Sequence, residues 1–108
     1  MKIETCITSD IEVAARFIKA GDLVAFPTET VYGLGADVFN RQAVEKIFSA
    51  KDRPRKNPLI VHVGAVQDVE RVAINISEHA HRYMESCFPG PLTLILERSP
   101  GIPSVVRC

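Results

Sequence analysis

Apolar residues recur along the first part of the chain at two different periods, and the change of period predicts a helix followed by a strand. The helical pattern starts after Ser9, which forms a predicted capping box with Glu12, and stops at Gly21. A short apolar run at residues 23–26 predicts a buried strand closed by Pro27, because proline cannot continue the hydrogen-bond ladder. The helix is expected to bury one stripe, formed by Ile11, Ala14, Ala15 and Ile18.

A polar, glycine-containing segment at residues 28–37 is interpreted as a loop that leads into a second helix. Asn40 is the predicted N-cap of this helix, and Pro54 is the predicted stop. Its apolar positions again lie on one face, formed by Ala43, Val44, Ile47 and Phe48.

The second half of the chain repeats this alternation. Residues 58–63 predict a second buried strand, and residues 66–74 a weaker helical segment. A further helix is predicted to open at Ser77 or Asn75 and to end before the break at residues 89–91. Its apolar face would contain Ala80, Tyr83, Met84 and Cys87.

Helices that alternate with strands predict an α/β fold in which helices pack on a twisted sheet. The third strand is predicted at residues 93–97, and the sequence after Arg98 has the composition of a loop. A sheet of three strands is small for a self-sufficient α/β domain. We therefore expect residues 1–108 to be one partial domain, truncated on its C-terminal side.

Composition and charge exclude several classes of protein. Thirteen Lys and Arg residues balance thirteen Asp and Glu residues, so no net field attracts polyanions nonspecifically. No apolar run approaches the roughly 20 residues of a membrane span, and no export signal is recognisable, which predicts a cytoplasmic protein without membrane contact. Three distant cysteines predict free thiols, and no metal-ligand motif is found.

The first candidate site is the polar segment after the first strand, at residues 28–35. Thr28, Thr30, Glu29 and Tyr32 offer hydroxyl and carboxylate groups beside two glycines, where phosphate or a small polar ligand could bind. The alternative is that the threonines only satisfy hydrogen bonds of a turn. Neither a P-loop nor a dinucleotide fingerprint is present.

The second candidate site follows the second helix, where residues 51–56 contain four cations. Cations suit a triphosphate, but a lysine near a helix C-terminus also stabilises the helix itself, so both interpretations stay open. His62 lies within the second predicted strand. Strand alternation places His62 on the same side of the strand as Ile60. On that side the imidazole could either reach a ligand crevice or belong to the core.

Four segments in this order resemble the YrdC-like family: Phe26–Gly35, residues 51–54, residues 57–63 and residues 89–94. The resemblance runs from about the first helix to Leu96. It implies the YrdC-like fold and a role in making threonylcarbamoyl-adenylate from L-threonine, bicarbonate and ATP with release of pyrophosphate. This is the nucleotidyltransferase step that precedes modification of tRNA by a downstream threonylcarbamoyl transferase.

The resemblance also implies roles for particular residues. Lys51 and Arg53 match the family's K-x-R pair and would face the phosphates and the carbamate as catalytic groups. Mg²⁺ would accompany the ATP, although no residue of the chain is assigned as its ligand. The remaining residues expected to bind the substrates are Thr28, Thr30, Tyr32, Asn57 and His62.

The chain departs from the family pattern in two places. Cys87 and Phe88 stand where the family commonly has an aromatic pair ending in Trp, and the later A-V-R and S-x-N segments are absent. We therefore expect this chain not to turn over substrate and to pair with a second copy or with another chain through its unfinished sheet. Two other functions fit the resemblance: an RNA- or tRNA-binding module, and the YrdC-like part of a hydrogenase-maturation carbamoyltransferase.

Overall fold

The computed structural model describes residues 5–51, 59–90 and 92–106. The chain divides into two compact units, residues 1–54 and residues 55–108. The regular secondary structure of the described residues consists of helices and two small antiparallel sheets, so the predicted mixed α/β class is confirmed. No helix within the described ranges is long and apolar enough to cross a membrane.

The described residues of the first unit form two helices and a β-hairpin. Its elements are α1 (Ile11–Lys19), β1 (Val24–Pro27), β2 (Tyr32–Gly35) and α2 (Arg41–Lys51). The predicted loop at residues 28–37 was therefore wrong over β2, which pairs antiparallel with β1. Glycine is disfavoured within strands, and the two glycines of β2 concealed the strand from any pattern based on apolar residues.

Helix α1 differs from its prediction in its cap and its burial. The N-cap is Asp10 and not Ser9: the carboxylate of Asp10 accepts a hydrogen bond of 2.9 Å from the Glu12 backbone N–H. The predicted buried stripe is also wrong, because α1 contains no buried residue and Ile11 is 84% exposed. The physical reason is that a two-stranded hairpin offers little apolar surface to cover a helix.

Helix α2 carries the core of the first unit, as predicted. Asn40 is its N-cap, and the Asn40 side-chain oxygen accepts a hydrogen bond of 3.1 Å from the Ala43 N–H. The four residues of the predicted apolar face, Ala43, Val44, Ile47 and Phe48, are all buried.

Gly21 connects α1 to the hairpin in a conformation that other residues avoid. Its φ is +89°, and a Cβ atom at this position would lie 2.9 Å from Nδ2 of Asn40. The Gly21 carbonyl accepts a hydrogen bond of 2.9 Å from the Lys46 ammonium group, which ties this turn to α2. The turn therefore depends both on positive φ and on the lack of a side chain.

We expect Gly21→Ala to lower the free energy of unfolding by at least about 1–2 kcal/mol, because the left-handed backbone penalises a Cβ atom. Chemical denaturation followed by circular dichroism measures this loss. Ala20→Gly is the neighbouring control, since Ala20 has a right-handed backbone and is exposed. Equal stability of Gly21→Ala and the wild type would contradict this interpretation of the turn.

The elements of the second unit pack around a small apolar cluster. A 3₁₀ turn at Val66–Asp68 leads into α3 (Val69–Val72) and β3 (Ala73–Ile74), and α4 (Glu78–Cys87) follows. The strand β4 (Glu97–Arg98) pairs with β3, and a second 3₁₀ turn spans Ser104–Val106, in the region where only loop was predicted. Val69, Ala73 and Met84 are the buried centre of the cluster.

Helix α4 begins where the sequence indicates but buries less than predicted. Ser77 is the N-cap, and its hydroxyl accepts a hydrogen bond of 3.1 Å from the Ala80 N–H. Ala80 and Met84 are buried, whereas Tyr83 is 57% exposed and Cys87 is also exposed. Only one row of the predicted apolar face, formed by Ala80 and Met84, is buried. The weaker helix predicted at residues 66–74 ends at Val72.

The two remaining predicted strands show the expected alternation of burial but are not paired as strands in the described residues. Residues 59–63 and 92–96 alternate between half-buried and exposed positions, as a strand with one packed face should. Neither segment is a strand in the described residues, and only Glu97 of the predicted third strand pairs with β3. The prediction of one three-stranded sheet was wrong, because pairing depends on partners distant in sequence. Pro58 lies outside the described residues.

Candidate functional site

The turn between β1 and β2 is organised by the hydroxyl group of Thr28. This hydroxyl donates a hydrogen bond to the carbonyl of Val31. It also accepts hydrogen bonds from the backbone N–H groups of Thr30 at 3.3 Å and of Val31 at 3.1 Å. A hydroxyl has one donor and two acceptor positions, so all three are in use within the turn.

The neighbouring side chains of the hairpin point to solvent. Glu29 and Thr30 are exposed in the turn, and Tyr32, the first residue of β2, is 76% exposed. Val31 is also largely exposed, at 71%. The hairpin therefore presents two hydroxyl groups and a carboxylate on a backbone that Thr28 holds in one shape. Such an arrangement can bind a small polar ligand.

Lys51 is the last residue of α2, and its side chain is exposed. A cation at this position is favourable for the helix dipole and is also free to meet an anionic ligand, so the structure is compatible with both interpretations of the sequence. Arg53 and Asn57, the other two predicted site residues of this region, lie outside the described residues.

His62 is exposed in the second unit. The flanking residues Val61 and Val63 are half-buried, and Ile60 is 63% exposed. The alternation that the sequence indicated is thus confirmed, and a buried core histidine is not what the structure contains. A solvent-facing imidazole remains able to contact a ligand.

The structure brings three of the predicted site residues together, since Thr28, Thr30 and Tyr32 belong to one hairpin. Lys51 belongs to the same unit, and His62 belongs to the other. No group of three His, Cys, Asp or Glu side chains suited to a metal ion is found in the part of the chain that the structure describes.

One residue of this region was missed by the sequence analysis. Phe26 lies in β1 directly opposite Gly33, and its ring occupies the space above both glycines of β2. The signal was present in the sequence as an aromatic residue followed by a G-x-G pattern. It could not be used without knowing that the two segments pair.

Solved structures of known proteins share this fold. The structure described as P. abyssi Sua5 complexed with L-threonine has a TM-score of 0.84 and 50% sequence identity, over 89% of this chain and 28% of the other. A second structure, of the H234A/Y235A variant of P. abyssi Sua5, has a TM-score of 0.85 over 89% of this chain and 29% of the other. The fold and the sequence identity thus place the chain among the relatives of these proteins.

Residues 16–107 match the family model Sua5_yciO_yrdC, described as Telomere recombination, and the chain belongs to this family. It is 50% identical over 96 residues to the threonylcarbamoyl-AMP synthase of Pyrococcus abyssi, covering 89% of this chain. It is 46% identical over 95 residues to the enzyme of the same name from Bacillus subtilis. The chain spans 28% of the length of each of these two relatives. The resemblance to the YrdC-like family is confirmed.

Proposed function

We propose that this chain forms part of the substrate site of a threonylcarbamoyl-AMP synthase, which converts L-threonine, bicarbonate and ATP to threonylcarbamoyl-adenylate and pyrophosphate. The observation that carries the proposal is the 50% identity to a protein whose structure was solved with L-threonine, over 89% of this chain. The exposed Thr30 and Tyr32 on an ordered turn are compatible with binding a small zwitterion.

The proposed reaction needs positioning and charge stabilisation more than a nucleophilic side chain. A carbamate oxygen of N-carboxylated threonine forms a bond to the α-phosphorus of ATP, and the bond from that phosphorus to the bridging oxygen of pyrophosphate breaks. Negative charge increases on the phosphoryl oxygens and on the leaving pyrophosphate, and Lys51 and Arg53 would stabilise it. Thr30, Tyr32, Asn57 and His62 would hold the substrates.

The structure supports a different role for Thr28. Because its hydroxyl already uses its donor and both acceptor positions inside the turn, a ligand could bind to it only by breaking one of these hydrogen bonds. We assign Thr28 to holding the turn in shape, and Thr30 and Tyr32 to contact with the ligand.

The other components of the reaction are part of the same proposal. Mg²⁺ would be carried by the triphosphate, since proteins commonly bind it through substrate phosphates and one or two carboxylates. tRNA and a threonylcarbamoyl transferase would follow as consumers of the adenylate, in the cytoplasm. A second copy of the chain is proposed as a further partner, because residues 59–63 and 92–96 have the burial alternation of strands but pair with no strand in the described residues.

We expect His62→Ala to weaken binding of L-threonine by about tenfold, which corresponds to the loss of one charge-assisted contact, while the melting temperature changes little. The small effect on stability follows from the exposure of His62. Isothermal titration calorimetry and thermal unfolding of the same samples measure both quantities.

The matched control is His79→Ala, because His79 is also an exposed histidine of the second unit but lies on α4. Equal affinities of His62→Ala and His79→Ala for L-threonine would remove His62 from the site. If the wild-type chain does not bind L-threonine at all, the proposed function of the chain itself fails.

A further inference from the structure

The ring of Phe26 fills a space that exists only because two residues of β2 lack side chains. A methyl group at Gly33 would lie 3.1 Å from Cζ and 3.2 Å from Cε2 of Phe26. A methyl group at Gly35 would lie 2.8 Å from Cε1 of the same ring. The aromatic ring therefore occupies the space above both glycines of the neighbouring strand.

The register of the hairpin explains this contact. Phe26 is directly opposite Gly33, and Val24 is opposite Gly35, so these four residues share one face of the hairpin. Alternation puts Tyr32 and Leu34 on the other face. A strand with two glycines has little side-chain packing of its own, and an aromatic residue from the partner strand is a known means of stabilising it.

Thr28, whose hydroxyl organises the turn, borders the same glycine as the Phe26 ring. A methyl group at Gly33 would also lie 3.6 Å from Cγ2 of Thr28, so the Thr28 side chain and the Phe26 ring both border the space above this glycine. The Thr28 hydroxyl accepts hydrogen bonds from the backbone N–H groups of Thr30 and Val31. Removing or displacing the Phe26 ring would therefore open space beside Gly33 into which the Thr28 side chain could move.

We infer that Phe26 is a positioning residue for the substrate site: its ring, packed on Gly33 and Gly35, holds Thr28 so that the turn presents Thr30 and Tyr32 to the ligand. Phe26 itself touches no substrate in this proposal. The inference rests on the proposed function for the identity of the ligand, L-threonine. The inferred coupling between ring and turn concerns the hairpin alone and can be tested without a ligand.

Two measurements on the full chain test the inference. The first is the affinity for L-threonine by calorimetry. The second is hydrogen exchange of the Val31 amide, which is bonded to the Thr28 hydroxyl. We expect Phe26→Ala to weaken L-threonine binding by about tenfold or more, since small misplacements of binding groups have large effects. It should also accelerate exchange at Val31, and Phe26→Tyr should retain both wild-type values.

Gly33→Ala provides an independent variant, because its methyl group displaces the ring without removing it. It should reproduce both effects, and the double variant Phe26→Ala with Gly33→Ala should be no weaker than Phe26→Ala alone, because the clash has gone. Phe17→Ala is the matched control: Phe17 is a partly exposed phenylalanine of α1 in the same unit. It should change neither the affinity nor the exchange of Val31.

The outcomes separate this inference from the proposed function. Wild-type exchange at Val31 in both Phe26→Ala and Gly33→Ala overturns the inference, as does strictly additive loss of affinity in the double variant. If the wild-type chain does not bind L-threonine, the proposed function fails, and exchange at Val31 alone decides whether Phe26 sets the turn. If Phe26→Ala does not fold, Gly33→Ala and Phe26→Tyr decide the question.

Discussion

Replacing Lys51 with alanine should lower pyrophosphate release by at least about tenfold in a chimera where this chain replaces the matching segment of the Pyrococcus abyssi synthase. The chimera is appropriate because the two sequences are 50% identical over that segment and the chain spans 28% of the relative. A lost charge-assisted contact to a phosphoryl group is worth about 1.5–3 kcal/mol, and each 1.4 kcal/mol is about a factor of ten in rate.

Lys19→Ala is the matched control for this prediction. Lys19 and Lys51 are both exposed lysines at the end of a helix in the first unit, so each contributes similarly to its helix dipole. If Lys51 acts only on its helix dipole, Lys51→Ala and Lys19→Ala should have the same stability and the same turnover. If Lys51→Ala has the same turnover as Lys19→Ala and the wild type, Lys51 is only a solvated helix end.

Replacing Met84 with alanine should lower the free energy of unfolding of the second unit by about 2–5 kcal/mol. Met84 is 1% exposed, and it forms the buried centre of the cluster with Val69 and Ala73. The truncated side chain would leave a cavity that the surrounding residues cannot fill without moving. Urea denaturation followed by circular dichroism measures this loss.

Ile95→Ala is the control for Met84→Ala, because Ile95 is 100% exposed in the same unit. Surface substitutions usually change stability by less than about 0.5 kcal/mol. If Ile95→Ala destabilises the chain as much as Met84→Ala, then Ile95 is covered in solution. A second copy of the chain bound at residues 92–96 would explain that result, and the oligomeric state measured by light scattering would show it.

The helices were predictable because their signals are local. Asn40 and Ser77 cap α2 and α4 through residues only three positions away, and the buried face of α2 follows from its own spacing. The predicted N-cap of α1 was misplaced by one residue, because Ser9 and Asp10 are both good N-caps. Only the hydrogen bond that the Asp10 carboxylate accepts from the Glu12 N–H distinguishes them.

The strands were less predictable because pairing is not local. The sequence indicated the correct alternation at residues 59–63, but no pattern within the segment specifies a partner. β2 was missed because it contains Gly33 and Gly35, which are unfavourable in a strand, and the ring of Phe26 that covers them comes from a different segment of the chain.

The candidate site was predicted as a set of residues, but their individual roles were not. Thr28 and Thr30 are two residues apart and chemically identical in the sequence, yet the hydroxyl of Thr28 is committed to the turn and the side chain of Thr30 is exposed. This distinction depends on backbone conformation, which the sequence pattern does not contain.

Titration of the isotopically labelled chain with L-threonine, followed through the amide signals of residues 28–33, tests most directly whether the β1–β2 hairpin is part of a substrate site. We expect saturable shifts at Thr30 and Tyr32, and no such shifts with D-threonine. Shifts that are absent, that are the same with both enantiomers, or that occur only outside the hairpin would contradict the proposed site.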